Sequence, residues 1–282
     1  MKGQGGSALV RQTQERKMRE INDNMGVLRK ALFAEGGRDK DVTQGISPVL
    51  LKYTRNGVDV EIAFSPKLDE VQVDWAFDLV MERMESVYDC SGYGWDDEDK
   101  RGELIEPGAR FLLVFDRSES NVTQRELVGF VHFRFTVQGE VMDTMEGDTC
   151  IYVWDIHFEE EFQRKGLGRH LLMLLELIGS REGIKRISVP IQNSNPSASA
   201  WIHQVKGYLP DQGIRDRFGF DPLEEGFEVF SKLLKGRQAE AQPSRIPVRL
   251  IEETPSPVAE SLSSAVAGLS LGSEDADAAT KK

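Results

Sequence analysis

The amino-acid sequence predicts an α/β fold in which a mixed central sheet is flanked by helices and an added helix precedes the domain. Apolar and polar residues alternate in segments such as Val58–Phe64, which indicates strands buried on one face. Apolar residues recur every three or four positions in segments such as Leu167–Ile178, which indicates amphipathic helices. Strands and helices mixed in this order are typical of a layered α/β sheet.

The first predicted element is a helix over residues 13–34. Its stripe is too short for an independent coiled coil, so the helix either docks on the main domain or frays in solution. Five apolar residues spaced by three and four form this stripe: Met18, Ile21, Met25, Leu28 and Leu32.

The remaining elements are predicted within one domain over residues 50–235, a usual domain size. In chain order they are a strand at Val58–Phe64, a helix through Val73–Val87, strands at Phe111–Phe115, Leu127–Phe135 and Cys150–Phe158, a helix from Leu167, a strand at Arg186–Pro190 and a helix ending near Gly207.

The two ends of the chain are predicted to lie outside this domain. Residues 1–12 are Gly-rich and are expected to be disordered, and residues 13–49 form the first helix and a connector. Residues 236–282 are rich in Ala, Ser, Pro and Glu with almost no aromatic residues, so we expect a disordered tail.

The composition excludes several classes of protein. The 282 residues include 35 Lys and Arg against 47 Asp and Glu, a net charge of −12. This balance argues against direct nucleic-acid binding and favours a basic partner. Cys90 and Cys150 are too few for a disulfide framework or a structural zinc site, so no metal is expected. No apolar run approaches the ~20 residues of a membrane span, and we expect an intracellular protein that binds no membrane.

A glycine-containing loop at residues 163–169 is the most informative motif. Gly166 and Gly168 follow a strand and open a helix, where free backbone N–H groups and the helix dipole favour an anion. Arg164, Lys165 and Arg169 add positive charge, which suits a pyrophosphate. The motif is neither a P-loop nor a dinucleotide fingerprint, because the Lys-Ser/Thr pair and the third glycine are missing.

The pattern Gln-x-x-Gly-x-Gly from Gln163 resembles the acetyl-CoA loop of the GCN5-related N-acetyltransferase (GNAT) superfamily. Asn195, the helix through Trp201 and Gly207-Tyr208 are similar to its second half. Five further stretches resemble the NatD-type N-alpha-acetyltransferases, which modify histone N-termini beginning Ser-Gly-Arg-Gly: Tyr53–Gly57, Val73–Leu79, Gly94–Trp95, His132–Phe135 and Arg164–Gly168.

This resemblance implies a GNAT-type sheet and acetyl transfer from acetyl-CoA to the α-amino group of histone tails, without a metal. It also implies a monomer found in nucleus and cytoplasm. Ile156, His157 and Phe158 would pair through their backbone with the pantetheine arm, and Asn195 would complete the cofactor site. The residues implied to hold the pyrophosphate are Arg164, Lys165, Gly166, Leu167, Gly168 and Arg169.

The resemblance also implies residues that face the peptide. Tyr88 and Tyr152 stand where the family has tyrosines, whereas Tyr93 replaces a tryptophan and Trp154 replaces a tyrosine. Asp155 occupies the position of a glutamate thought to act as base. An α-amino group has a pKa of about 8, so a fair fraction of it is already neutral at neutral pH and a strong base is not needed. Asp155 would take the proton directly or through water, or would instead hold a neighbouring polar group.

Other roles stay open at this point. The backbone N–H of Phe158 is implied to stabilise negative charge on the thioester oxygen. His203 stands where many superfamily members carry a tyrosine that protonates the thiolate, and catalytic and structural roles are both open. A substrate arginine suits carboxylates and aromatic faces, with Thr136 or Asp143 as rival contacts.

Two alternatives to histone acetylation also stay open. One is a GNAT enzyme for other protein N-termini or small amines, because three aromatic and carboxylate positions depart from the family pattern. The other is a histone-tail binding module that keeps the fold without turnover.

Overall fold

The computed structural model describes residues 4–92, 94–118, 125–142 and 144–234. Within them, one sheet has the strand order β1-β2-β3-β4-β5-β6-β8-β7. The strands are β1 Lys52–Arg55, β2 Val58–Ser65, β3 Arg110–Asp116, β4 Leu127–Val137, β5 Thr149–Phe158, β6 Arg186–Gln192, β7 Leu209–Pro210 and β8 Phe227–Leu233. The α-helices are α1 Gln4–Leu32, α2 Glu70–Ser91, α3 Asp97–Ile105, α4 Leu167–Glu182, α5 Pro196–Ile202 and α6 Gln212–Phe218.

Helices cover both faces of the sheet. Leu171 and Leu175 of α4 pack in the larger core cluster, and Leu28 of α1 joins it. Phe77 of α2 and Leu104 of α3 pack in a second cluster on the other face. The predicted α/β architecture, a mixed sheet flanked by helices with an added N-terminal helix, is therefore confirmed.

The N-terminal helix differs from its prediction in two respects. It begins at Gln4 rather than at residue 13. The earlier segment contains no proline, and its two glycines, Gly5 and Gly6, each cost a helix about 1 kcal/mol, less than a proline would. Its predicted apolar stripe is only partly buried: Leu28 is buried, whereas Met18 and Met25 are exposed. The reason is that Asn24 lies on the docked face, where its side-chain amide donates to the Gly147 carbonyl at 2.8 Å.

Helix α3 was not predicted from the sequence. Asp96 is the N-cap of this helix, and its carboxylate accepts a hydrogen bond from the Asp99 N–H at 2.9 Å. Acidic residues in the first turn also interact favourably with the helix dipole. The acidic run therefore starts a helix, and the helix brings Lys100 and Glu103 to the sheet.

The sheet opens between its two parallel neighbours. Strands β5 and β6 pair only from Cys150 with Arg186 to Tyr152 with Ser188, whereas every other neighbouring pair is antiparallel. Beyond Tyr152, the edge of β5 that faces β6 has no strand partner within the described residues. The register of β4 and β5 also shifts at Trp154, which is the extra residue of a β-bulge. The result is a wedge-shaped gap in the sheet.

No helix in the described ranges has the length and apolar character needed to cross a membrane. The tail predicted over residues 236–282 lies outside the described residues.

Candidate active site

A groove of about 1380 Å³ lies where β5 and β6 separate. Its walls come from α2, α3, β5, β6, α5 and the loop that precedes α4. Most of the predicted site residues line this groove: Tyr88, Tyr152, Trp154, Asp155, Ile156, His157, Phe158, Arg164, Gly166, Leu167, Gly168, Arg169 and Asn195. The structure thus brings together residues that are spread over a hundred positions of the sequence.

The N-terminus of α4 presents backbone donors at one end of the groove. Gly166 is the N-cap residue, and no side chain caps this helix end. The first N–H groups of an α-helix have no acceptor within the helix, so those of Leu167, Gly168 and Arg169 are available to a ligand. Gly166 has a φ of 93°, and a Cβ added there would lie 2.6 Å from Tyr53 Oη. The sequence-predicted diphosphate loop therefore has the geometry of an anion site.

Two side chains from the β1–β2 hairpin hold this loop. Tyr53 Oη donates to the Lys165 carbonyl at 2.6 Å, and Asn56 Nδ2 donates to the same oxygen at 2.6 Å. These donors satisfy a carbonyl that would otherwise repel an anion. Lys165, predicted as a cofactor residue, is not among the residues that line the groove, and its observed contacts are through this carbonyl.

The unpaired edge of β5 forms the middle of the groove. Ile156, His157 and Phe158 line this part of the groove, and their contact with a pantetheine arm stays a prediction. Gln163 Nε2 donates to the Phe158 carbonyl at 2.9 Å, which ties the end of β5 to the loop. Asn195 also lines the groove, but its Oδ1 accepts from the Ala198 N–H at 3.0 Å as the N-cap of α5.

Aromatic and acidic residues surround the other end of the groove. The rings of Tyr152 and Trp154 are 5.4 Å apart, and the ring of Tyr88 lies 5.8 Å from that of Trp95. Four carboxylates besides Asp155 line the same groove: Asp96, Asp99, Glu103 and Glu140. A cationic ligand with a flat or extended side chain suits these surroundings.

Some predicted contacts lie elsewhere. Tyr93 and Asp143 lie outside the described residues. Thr136, the rival contact for a substrate arginine, is buried in β4 and does not line the groove. His203 stacks edge to face against Phe230 with ring centroids 5.0 Å apart and does not line the groove, which favours the structural role. Cys150 is fully buried, and burial raises the pKa of its thiol, as suits a core residue.

Asp155 is engaged by three neighbours within a buried cluster. His132 Nδ1 lies 3.2 Å from one carboxylate oxygen, and His157 Nε2 and Lys100 Nζ lie 3.5 Å and 3.8 Å from the other. Burial alone would raise the pKa of Asp155, but the Lys100 ammonium and the hydrogen bonds from both histidines hold it well below its ordinary value. Burial lowers the pKa of His132, so its imidazole is neutral. The predicted base role of Asp155 stays a prediction.

Lys100 and Glu103 are site residues that the sequence analysis missed. Lys100 Nζ lies 2.5 Å from Glu103 Oε2 and 5.3 Å from the centre of the Tyr88 ring. Burial acts to lower the pKa of Lys100, but Asp155, Tyr88 and Glu103 raise it above its ordinary value. The capping pattern of Asp96 and Asp99, followed by opposite charges three residues apart, is the signal that would have predicted this helix.

Among the described residues, no group of three or more His, Cys, Asp or Glu side chains is arranged to hold a metal ion.

Fold and site together favour one kind of ligand. The open edge of β5 offers backbone partners to an extended arm, and the N-terminus of α4 offers donors to a diphosphate, which is the combination that a coenzyme A derivative requires. Residues 77–208 match the family model of the acetyltransferase (GNAT) family. This match covers 132 of the 282 residues, and the fold and the matched segment are together similar to those of the GNAT superfamily.

Solved structures with a similar fold include three acetyltransferases. A GNAT-family acetyltransferase from Listeria monocytogenes is 16% identical over 65% of this chain and 99% of that chain, with a TM-score of 0.45. Arabidopsis thaliana NAA60, in complex with a bisubstrate analogue, is 16% identical over 62% of this chain and 99% of that chain, with a TM-score of 0.40. PaiA N-acetyltransferase from Thermoplasma acidophilum, in complex with coenzyme A, is 15% identical over 61% of this chain and 99% of that chain, with a TM-score of 0.41.

Proposed function

We propose that this protein is a NatD-type N-alpha-acetyltransferase, which transfers acetyl from acetyl-CoA to the α-amino group of histone N-termini beginning Ser-Gly-Arg-Gly. The observation that carries the proposal is one continuous groove with two chemically different ends. Backbone donors at α4 form one end, and Tyr88, Trp154 and several carboxylates form the other. Such a groove suits an anionic donor and a cationic acceptor that meet between them.

The donor end accounts for the cofactor. The N–H groups at the start of α4, with Arg164 and Arg169 beside them, would hold the diphosphate, and Ile156–Phe158 would align the pantetheine arm. Acetyl-CoA supplies the acetyl group as a thioester, whose carbon–sulfur bond breaks as the carbon–nitrogen bond forms and whose sulfur leaves as a thiolate that is protonated to the thiol. The chain's own task is to align the amine, accept its proton and exclude competing water.

The acceptor end accounts for the histone tail. An N-terminus that begins Ser-Gly-Arg-Gly carries an α-amino group and an arginine two residues further on, and both are cationic at neutral pH. Tyr88, Tyr152 and Trp154 supply aromatic faces, and Asp99 and Glu140 supply carboxylates that pair with a guanidinium. The net charge of −12 also steers basic tails toward the protein.

The proposal extends to the setting in which the protein acts. A histone substrate implies a protein that acts in the nucleus and the cytoplasm, because histones are found in both. Donor and acceptor ends lie in one chain, which supports action as a monomer.

A peptide panel tests the proposal. Peptides beginning Ser-Gly-Arg-Gly, the same peptides with alanine in place of the arginine, peptides with other first residues and spermidine are each incubated with acetyl-CoA and analysed by mass spectrometry. We expect the Ser-Gly-Arg-Gly peptide to gain one acetyl group fastest, and the same peptide with a blocked N-terminus to gain none.

The same panel separates the alternatives. Faster reaction of other N-termini or of spermidine would contradict the histone assignment and favour a different acceptor amine. Binding of the histone peptide in a calorimeter, with neither acetyl-CoA binding nor a mass gain, would instead identify a reader module without turnover.

A further inference from the structure

Lys100 lies between two carboxylates that differ in their access to the groove. Its ammonium lies 2.5 Å from Glu103 and 3.8 Å from Asp155. The Asp155 side chain is 4% exposed, whereas that of Glu103 is 27% exposed. Both carboxylates line the groove, but Glu103 is the one that a molecule entering the groove can reach.

Both carboxylate oxygens of Asp155 face groups of the protein, and its side chain is 4% exposed. One of its oxygens faces His132 Nδ1 at 3.2 Å, and the other faces His157 Nε2 at 3.5 Å as well as Lys100. Turning this carboxylate to an incoming amine would break these contacts and leave the buried Lys100 ammonium without one of its counterions, which is costly. Asp155 is thus suited to orient its neighbours.

Within the described part of the chain, the Glu103 carboxylate has one side-chain partner, Lys100, on the same helix. It is positioned from a second direction because Arg134 Nη2 donates to the Glu103 backbone carbonyl at 3.4 Å. Glu103 lines the same groove as Tyr152, which lies at the point where β5 and β6 separate. Glu103 therefore lies near the position at which donor and acceptor would meet.

We propose that Glu103 accepts the proton of the substrate α-ammonium group, and that Lys100 is a positioning residue that holds this carboxylate at the groove. The inference rests on the proposed function. In the step, an N–H bond of the substrate breaks, its electron pair stays on nitrogen, and the proton forms an O–H bond with Glu103. Solvent in the groove then takes the proton and restores the carboxylate. Asp155, predicted from the sequence, is the competing acceptor.

The charges around Glu103 agree with this role. Tyr88 faces it from α2, Lys100 from its own helix, Arg134 from β4 and Asp155 from β5. Burial raises the pKa of Glu103, and Asp155 raises it further, against the lowering effect of Lys100 and Arg134. A carboxylate with a raised pKa is a better proton acceptor near neutral pH than one whose pKa is depressed.

The experiment compares three variants of the full chain: Glu103→Gln, Asp155→Asn and the matched control Glu98→Gln. Glu98 lies on the same helix, is exposed and does not line the groove. Each variant is assayed with the amine that the wild type acetylates fastest in the peptide panel. We expect Glu103→Gln to lower kcat by about 10²–10⁴-fold with the acetyl-CoA dissociation constant unchanged, and Glu98→Gln to behave as wild type.

Three further measurements separate proton transfer from a structural role. The acid limb of the kcat/KM profile should move in Glu103→Gln to about 8, the pKa of the substrate α-amino group, because turnover then depends on amine that is already neutral. Added formate should restore turnover to Glu103→Ala in a concentration-dependent way. Independently of activity, carbon-13 NMR of the carboxyl groups should show one glutamate that titrates above about 4.3 in the wild type and is missing from Glu103→Gln.

Folded Glu103→Gln with kcat within threefold of wild type would overturn the inference. So would a folded Asp155→Asn that loses turnover and shows this shift of the acid limb while Glu103→Gln shows neither, because Asp155 would then be the base. A wild type that prefers another amine contradicts the histone assignment but leaves the comparison of Glu103 with Asp155 intact. A wild type that acetylates no amine overturns both proposals.

Discussion

Replacing Gly166 by alanine tests whether the loop before α4 holds the diphosphate. Gly166 adopts a φ of 93°, where an L-residue costs about 1–2 kcal/mol. The new Cβ would lie 2.6 Å from Tyr53 Oη, so Tyr53 must move and lose its hydrogen bond to the Lys165 carbonyl. That bond is worth about 0.5–1.5 kcal/mol. We therefore expect the variant to lose about 1.5–3.5 kcal/mol of unfolding free energy, or about 3–14 °C in Tm.

The same change should weaken acetyl-CoA binding, because moving the loop disturbs the backbone donors. A tenfold increase of the dissociation constant corresponds to about 1.4 kcal/mol, and we expect at least this much by isothermal titration calorimetry. Gly183→Ala is the matched control. Gly183 also has a left-handed conformation, with a φ of 80° and no atom within 4 Å of an added Cβ, and it does not line the groove.

The control should lose about 1–2 kcal/mol of stability from backbone strain alone and should bind acetyl-CoA as the wild type does. If folded Gly166→Ala binds acetyl-CoA within twofold of wild type, the loop is not the diphosphate site. Equal weakening in both variants would show that general destabilisation, rather than the loop, causes the loss.

Three further predictions concern the surrounding contacts. Tyr53→Phe removes a donor to the Lys165 carbonyl and should weaken acetyl-CoA binding by about two- to tenfold in calorimetry, whereas an unchanged dissociation constant would contradict the role of this contact. Lys100→Met leaves the buried Asp155 carboxylate without its cation and should lower the unfolding free energy by about 3–5 kcal/mol in urea titrations; a loss below about 1 kcal/mol would refute the argument. The pKa of Asp155 is lower in the folded chain than in the unfolded chain, so its stabilisation is present above the unfolded value of about 3.9 and is lost as the pH falls. The stability difference between wild type and Asp155→Asn should therefore shrink below about pH 4, and a difference that grows in acid would contradict the assignment.

The sequence predicted the part of the fold in which pattern and geometry are local. Strand β5, the loop of residues 163–166 and helix α4 follow directly from alternation, glycine placement and apolar periodicity. The predicted strand bounds agree with those of β2, β3, β4, β5 and β6 to within about two residues. Each of these signals is contained in a window of about ten residues, so tertiary context was not needed to read it.

One cluster could not be predicted from the sequence, because its residues are far apart along the chain. It consists of Lys100, Glu103, His132 and Asp155. Its members come from α3, β4 and β5, and no local pattern states that these elements meet. The bulge at Trp154 adds to this difficulty. It shifts the alternation of β5 so that both Trp154 and Asp155 lie against His132, and the register that produces this bulge exists only in the paired sheet.

The central claim is that backbone N–H groups at the start of α4 hold the diphosphate of coenzyme A. The most direct test records backbone amide NMR spectra of the full chain during titration with coenzyme A and, separately, with 4′-phosphopantetheine, which lacks the diphosphate. The account predicts large shifts of the Gly166, Leu167 and Gly168 amides with coenzyme A alone, while amides of Ile156–Phe158 respond to both ligands. Amides at 166–168 that stay unchanged while coenzyme A shifts residues elsewhere would contradict it.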